Sequence, residues 1–181
     1  PPGASIPFDI ATFILLIVLA ILIRPGPPGR RLAAILAFGS AAFPYTAYVL
    51  ESDSNDSLIA ALLVATLVLL AKPPWRGVTL ALATWAKFVP LVLAPMLLTL
   101  DGWKPRKLAL FAGGFAVVTA AAVTWPLINP GFHTFYERTI AAQAGRISPF
   151  SIWGQDESLE PLRVAILVAT GVLAIALAFV P

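Results

Sequence analysis

Lys87 lies inside the apolar run Val78–Leu100, flanked by Trp85 and Phe88 and followed by Pro90 and Pro95. An ammonium at the centre of a membrane-embedded helix costs roughly 2.5–3.5 kcal/mol on insertion scales. A chain therefore keeps one where a cavity, a partner charge or an anionic ligand satisfies it. About ten positions separate Lys87 from either end of its run, which places it poorly for snorkelling to the interface. The residue points instead to a ligand-facing role, and in a membrane the readiest anion is a lipid phosphate.

Two further polar clusters accompany it. The stretch Glu51-Ser52-Asp53-Ser54-Asn55-Asp56-Ser57 is the densest polar run in the chain. Asp, Ser and Asn are favoured helix N-caps, and acidic groups suit the positive end of a helix dipole. Capping accounts for one or two of the seven residues. The rest fit a site that faces a sugar or a cation, where carboxylates and an amide accept from hydroxyls and Asp53 or Asp56 is a candidate general base. Between Phe132 and Gly145, Phe132, Phe135, Tyr136, Ile140 and Ala144 recur at helical spacing with His133, Glu137 and Arg138 on the other side. That pattern describes an amphipathic helix lying in the membrane interface. Beyond it, Arg146 offers a bidentate fork for phosphate. Phe150 and Trp153 offer either stacking surfaces for a sugar or anchors at the headgroups.

The elements that must position these groups are membrane spans. Of 181 residues, 59% are hydrophobic and 12% charged, with mean hydropathy +0.89. A soluble domain carries about a quarter charged residues, so the chain reads as an all-α, polytopic transmembrane bundle, a single domain over residues 1–181. The net charge of +3 is small and scattered, which argues against nucleic-acid binding. There is no cysteine and one histidine, His133, which excludes thiolate and multi-histidine metal sites. The chain opens on Pro1-Pro2-Gly3 and stops at Pro181 after an apolar run, so both ends read as cuts in a longer protein.

Six apolar stretches stand out: Ile6–Ile23, Leu32–Leu50, Ser57–Ala71, Val78–Leu100, Leu108–Ile128 and Leu162–Val180. Loop charges orient them by the positive-inside rule. Arg24–Arg31 reads as cytoplasmic, the acidic Glu51–Ser57 loop as extracytoplasmic, and Lys72 with Arg76 as cytoplasmic again. A single crossing by Val78–Leu100 would then place Lys104, Arg106 and Lys107 outside, against the bias. A broken hairpin turning near Lys87–Pro90 would return them to the cytoplasm, and proline supplies a reason for the break. Both the hairpin and a proline-kinked single span stay open at this point. With the hairpin, the loop 129–161 and its interfacial helix share the extracytoplasmic side with the acidic loop.

Asn55-Asp56-Ser57-Leu58, then Arg76-Gly77, then Ala86-Lys87-Phe88-Val89-Pro90-Leu91 resembles the middle of GT-C-type integral membrane glycosyltransferases. The likeness is strongest to bacterial mannosyltransferases that use polyprenyl-phosphate-linked sugars, and it covers roughly residues 41–154. Tyr136-Glu137-Arg138-Thr139-Ile140 through Gly145-Arg146, and Ser148 through Gly154, add to it. One departure is Asp53, where such proteins generally carry Gln. Another is that their catalytic carboxylate usually lies in the first extracytoplasmic loop, upstream of these residues.

The resemblance implies a multi-pass protein of the bacterial plasma membrane, without a cofactor. It would move a sugar, mannose foremost, from a polyprenyl-phosphate donor to an extracytoplasmic lipid or glycan acceptor. Lys87 and Arg146 would hold the donor phosphate, and Asn55, Asp56 and Trp153 the sugar or acceptor, with Asp53 and Asp56 as candidate catalytic carboxylates. The alternative is a transporter or lipid flippase with Lys87 as a charged site on a broken helix.

Overall fold

The computed structural model describes residue 3 and residues 5–52, 55–142 and 152–180. Its elements are α1 (Ile6–Ile23), α2 (Pro27–Ala42), α3 (Pro44–Ser52), α4 (Asp56–Val68), α5 (Pro73–Ala86), a 3₁₀ turn (Val89–Leu93), α6 (Ala94–Thr99), α7 (Pro105–Pro126), α8 (Phe132–Tyr136), α9 (Ile152–Gln155) and α10 (Glu160–Leu177). Among the described residues there is no strand. Three helices are long and apolar enough to cross a membrane: α1, the helix that begins at Pro105, and α10. Their large side chains face outward, as with Ile14, Val117 and Val168, which suits an outer surface solvated by lipid rather than water.

The run Val78–Leu100 is a hairpin. Pro90 has no amide hydrogen to give the Ala86 carbonyl, and its ring would crowd that carbonyl in a continuous helix. Accordingly α5 stops at Ala86, and Lys87 is extended at φ −161°, ψ 128°. The chain then turns through Val89–Leu93 into α6. The hairpin's two ends meet at its base, where the guanidinium of Arg76 lies 3.0 Å from the Asp101 carboxylate. Arg76 is fully buried, also donates to the Leu70 carbonyl, and stands 5.5 Å over the Phe111 ring. It therefore ties together the end of α4, the base of the hairpin and α7. Lys107 completes the cluster, with Nζ 2.5 Å from the other Asp101 oxygen.

Two glycines set the spacing of the helices around this hairpin. A Cβ on Gly77 would fall 2.2 Å from the Phe111 carbonyl oxygen, and one on Gly114 would fall 2.1 Å from that of Pro74. α5 and α7 thus touch backbone to backbone, the close approach that small residues permit between membrane helices. They run in the same direction, and the Trp85 indole donates to Thr119 Oγ1 at 3.1 Å higher up. On its other side α5 runs antiparallel to α4, held by the buried hydroxyls of Thr66 and Thr79 at 2.8 Å. Leu80, Leu97 and Phe111 form the core between α5, α6 and α7, with Leu63 of α4 packed on it.

This topology sorts charge along the bundle. Arg24, Arg30, Arg31, Lys72, Arg76, Lys104, Arg106 and Lys107 gather at one end. Lys87 stands at the other, with Asp9, Asp56, Glu137 and Glu160 and with Arg138 and Arg163 among them.

One expectation from the sequence needs correction. Leu32–Leu50 is not one span: Phe43, preceding Pro44, is held at φ −72°, ψ 120°, the extended geometry that a following proline favours, and the stretch divides into α2 and α3. Leu108–Ile128 is carried by α7, which ends before Asn129 leaves helical geometry (φ −144°, ψ 113°).

Two outcomes follow from this packing. Gly114→Ala forces α5 and α7 apart and is expected to cost about 1–3 kcal/mol, the usual range for overpacking, read as a lower midpoint of thermal unfolding in lipid nanodiscs. Asp101→Asn leaves the buried Arg76 without its counter-charge, a loss of about 3–5 kcal/mol for a buried pair. Hydrogen bonding from Lys107, then from Arg76, holds the Asp101 carboxyl below its ordinary range against the opposing pull of burial. A lowered folded-state pKa gives stability that is complete above the unfolded value near 3.9 and lost as pH falls through the folded value. The gap in unfolding midpoint between the parent and Asp101→Asn should therefore hold steady above about pH 5 and narrow at lower pH.

Candidate functional site

Lys87 sits at the tip of the hairpin, placed there by the break that Pro90 enforces. Its ammonium is 2.5 Å from Asp56 Oδ1, and its side chain is 51% exposed against 22% for Asp56. Asp56 opens α4. Its other oxygen accepts from the Tyr45 hydroxyl at 3.0 Å, so α3, α4 and the hairpin tip meet at this carboxylate. The burial cost that Lys87 presents in the sequence is thus met by a partner charge and by partial exposure. The neighbouring Asn55 points its amide at the Ala86 carbonyl, 3.5 Å away. That carbonyl is the one Pro90 cannot serve, so Asn55 covers the broken end of α5.

Two clefts meet at Lys87. One, of about 880 Å³, is lined by Asn55, Trp85, Lys87, Phe135, Arg138 and Thr139, among others. Trp85 stands edge-on to Phe88 at 6.0 Å and 6.3 Å from Phe135, which makes an aromatic wall. The other, of about 420 Å³, begins at Asp56 and Lys87 and is otherwise apolar, with Ile59, Leu63, Val92 and Leu93. The ammonium is thus shared between a polar cleft and an apolar groove. Such a junction accommodates an amphiphile whose charged group meets Lys87 and whose tail follows the groove.

The sequence candidates fare unevenly. Lys87, Asn55 and Asp56 come together. Trp153 lies on α9 and is not among the residues lining the clefts around Lys87. Asp53, Arg146 and Phe150 lie outside the described residues. Arg138 was placed with the polar outer side of an amphipathic helix, yet it lines the 880 Å³ cleft together with Phe135 from the apolar side. Positions 135, 138 and 139 are three and four apart, the spacing that shares one helical face, so Arg138 stands beside Phe135 rather than opposite it. Asp9 is a further acidic residue near the site. It lies in the first turn of an otherwise apolar α1, and an ionisable group in such a helix is itself a signal of function.

The model of glycosyltransferase family 87 matches residues 2–181. No curated protein and no solved structure matches. The chain belongs to glycosyltransferase family 87, and so to the GT-C-type membrane glycosyltransferases. A membrane glycosyltransferase thereby displaces a transporter or flippase as the reading of the chain.

A double-mutant cycle checks the ion pair at the centre of the site. Lys87→Met, Asp56→Asn and the double variant should show a coupling energy of roughly 0.5–1 kcal/mol in unfolding, the scale of partly exposed pairs. The double variant should be more stable than the sum of the single losses predicts.

Proposed function

We propose that this chain moves a sugar, mannose in the first instance, from a polyprenyl-phosphate donor to an extracytoplasmic acceptor, with Lys87 as the ligand of the donor phosphate. The observation that supports this reading is the position of Lys87 at the join of a polar cleft and an apolar groove. A polyprenyl phosphate needs that combination of a cation for the phosphate and apolar surface for the chain. The polar cleft has the volume of an ordinary small-molecule site. Arg138 and the sequence-expected Arg146 join Lys87 on the phosphate, while Asn55 stands where sugar hydroxyls would lie. By the positive-inside rule the basic end of the bundle is cytoplasmic, which puts the Lys87 end outside.

In the reaction the acceptor oxygen forms a bond to the anomeric carbon, and the bond from that carbon to the phosphate oxygen breaks. The electron pair stays with the phosphate, and the acceptor proton goes to a carboxylate. Charge grows on the departing phosphate, and a fixed cation in a site of low dielectric stabilises it most at that moment. Asp56 is the carboxylate proposed for the proton. As Lys87 turns toward the phosphate, Asp56 gives up its contact with Lys87 and turns to the acceptor hydroxyl.

The test is transfer from a polyprenyl-phosphate sugar by the full-length protein in membranes. Lys87→Ala should lower kcat by about 10²–10³-fold, the effect of removing one group that stabilises developing charge. Lys87→Arg should recover part of it. Unchanged transfer by Lys87→Ala would remove Lys87 from the site.

A further inference from the structure

A third cavity, of about 610 Å³, lies on the far side of Asp56 from Lys87, between α1, α4 and the α2–α3 corner. Its polar end is formed by Asp9, Tyr45, Asp56 and Ser57. Ser57, almost wholly buried, donates to Asp9 Oδ1 at 2.8 Å. Asp9 Oδ2 is shielded from solvent and has no hydrogen-bond partner among the described residues. A buried carboxylate oxygen left without a donor is costly, so this atom lacks a hydroxyl or amide that a ligand would bring. Away from that end the lining turns apolar. Ile6, Ile10, Ile14 and Ile17 form one stripe along α1, each at least 38% exposed, so the cavity opens sideways toward lipid. The eleven helical rises from Ile6 to Ile17 run for roughly 16 Å, enough for a substantial acyl chain.

We infer that this cavity binds the acceptor, and that the acceptor is a lipid with an uncharged, hydroxyl-bearing headgroup. This rests on the donor reading above and narrows it, since a lipid or a glycan acceptor was open there. The chemistry of the lining selects the headgroup. Asp9 brings a carboxylate to the cavity, Asp56 is already paired with Lys87, and no Lys or Arg is among the lining residues, so a phosphate finds no unpaired cation in the lining while a hydroxyl finds an acceptor in Asp9 Oδ2. The stripe on α1 selects a lipid over a water-soluble glycan. Asp56 reaches both this cavity and the groove at Lys87, and so stands between an acceptor hydroxyl on one side and the donor phosphate on the other. Asp9 acts as a binding residue that orients the headgroup.

Equilibrium binding to the full-length protein in lipid nanodiscs tests this, with dodecyl mannoside, methyl mannoside and dodecyl phosphate as probes. Dodecyl mannoside should bind. Asp9→Asn, which keeps the shape and removes the charge, should weaken it by about tenfold, as loss of a charge-assisted hydrogen bond does. Ile14→Trp, which fills the cavity from its lipid-facing side, should weaken it at least as much. Dodecyl phosphate should be indifferent to both variants and should lose affinity in Lys87→Ala. The inference is overturned if neither variant alters dodecyl mannoside binding, or if methyl mannoside binds as well as its dodecyl counterpart. It is overturned equally if Asp9→Asn weakens dodecyl phosphate. Indifference of dodecyl phosphate to Lys87→Ala would strike the donor reading alone, leaving the mannoside result to stand or fall by itself.

Discussion

Pro90 cannot donate a hydrogen bond, and a membrane offers no water to take over the carbonyl it leaves unserved. From that constraint the rest of the architecture follows. α5 must end at Ala86, the freed carbonyl is met by Asn55 from the start of α4, and Lys87 is turned out of the helix into extended backbone. The chain then folds back through α6, so that Asp101 returns to Arg76, where it started. An irregular segment at membrane depth is tolerated where protein surrounds it or a cavity adjoins it, and here both hold.

The same turn settles the distribution of charge. With the hairpin in place, α7 starts from the end that already carries Arg24, Arg30, Arg31, Lys72 and Arg76, adding Lys104, Arg106 and Lys107. The bundle becomes strongly basic at one end, while the other carries both signs, with Asp9, Asp56, Glu137 and Glu160 beside Lys87, Arg138 and Arg163. At this second end Lys87 is the cation of the hairpin tip, held by Asp56. At the basic end the fully buried Arg76 does a different job, clasping the hairpin base through Asp101 and Leu70. One lysine and one arginine of similar charge thus divide into site and scaffold by position along the hairpin.

Much of this could be read from residue order. The cost of Lys87, the prolines after it and the misplaced charge of Lys104, Arg106 and Lys107 together pointed to a hairpin, because each involves a local rule about backbone or loop charge. The family resemblance rested on Asn55, Arg76-Gly77 and Lys87 through Leu91, and membership in glycosyltransferase family 87 agrees with it. Residues that depend on contacts across the fold were harder to see. The ion pair of Lys87 joins positions 31 apart, and the sequence, which marks Asp56 as a sugar- or acceptor-binding candidate, does not show that it meets Lys87. Asp9 meets Ser57 across 48 positions. Arg138 and Phe135 share a face at ordinary helical spacing, but that this face lines the cleft depends on how the helix packs, and Gly77 and Gly114 acquire meaning only once α5 and α7 lie side by side.

The arrangement as a whole depends on the hairpin, and the absence of cysteine from the chain makes its topology directly measurable. Single cysteines at Arg24, Lys104 and Ile128 would be probed with a membrane-impermeant thiol reagent from each face of sealed vesicles. The hairpin places Arg24→Cys and Lys104→Cys on the same, cytoplasmic face and Ile128→Cys on the opposite one. Labelling of Lys104→Cys from the face opposite Arg24→Cys, with Ile128→Cys on the Arg24 side, would mean that Val78–Leu100 crosses the membrane once and would contradict the account.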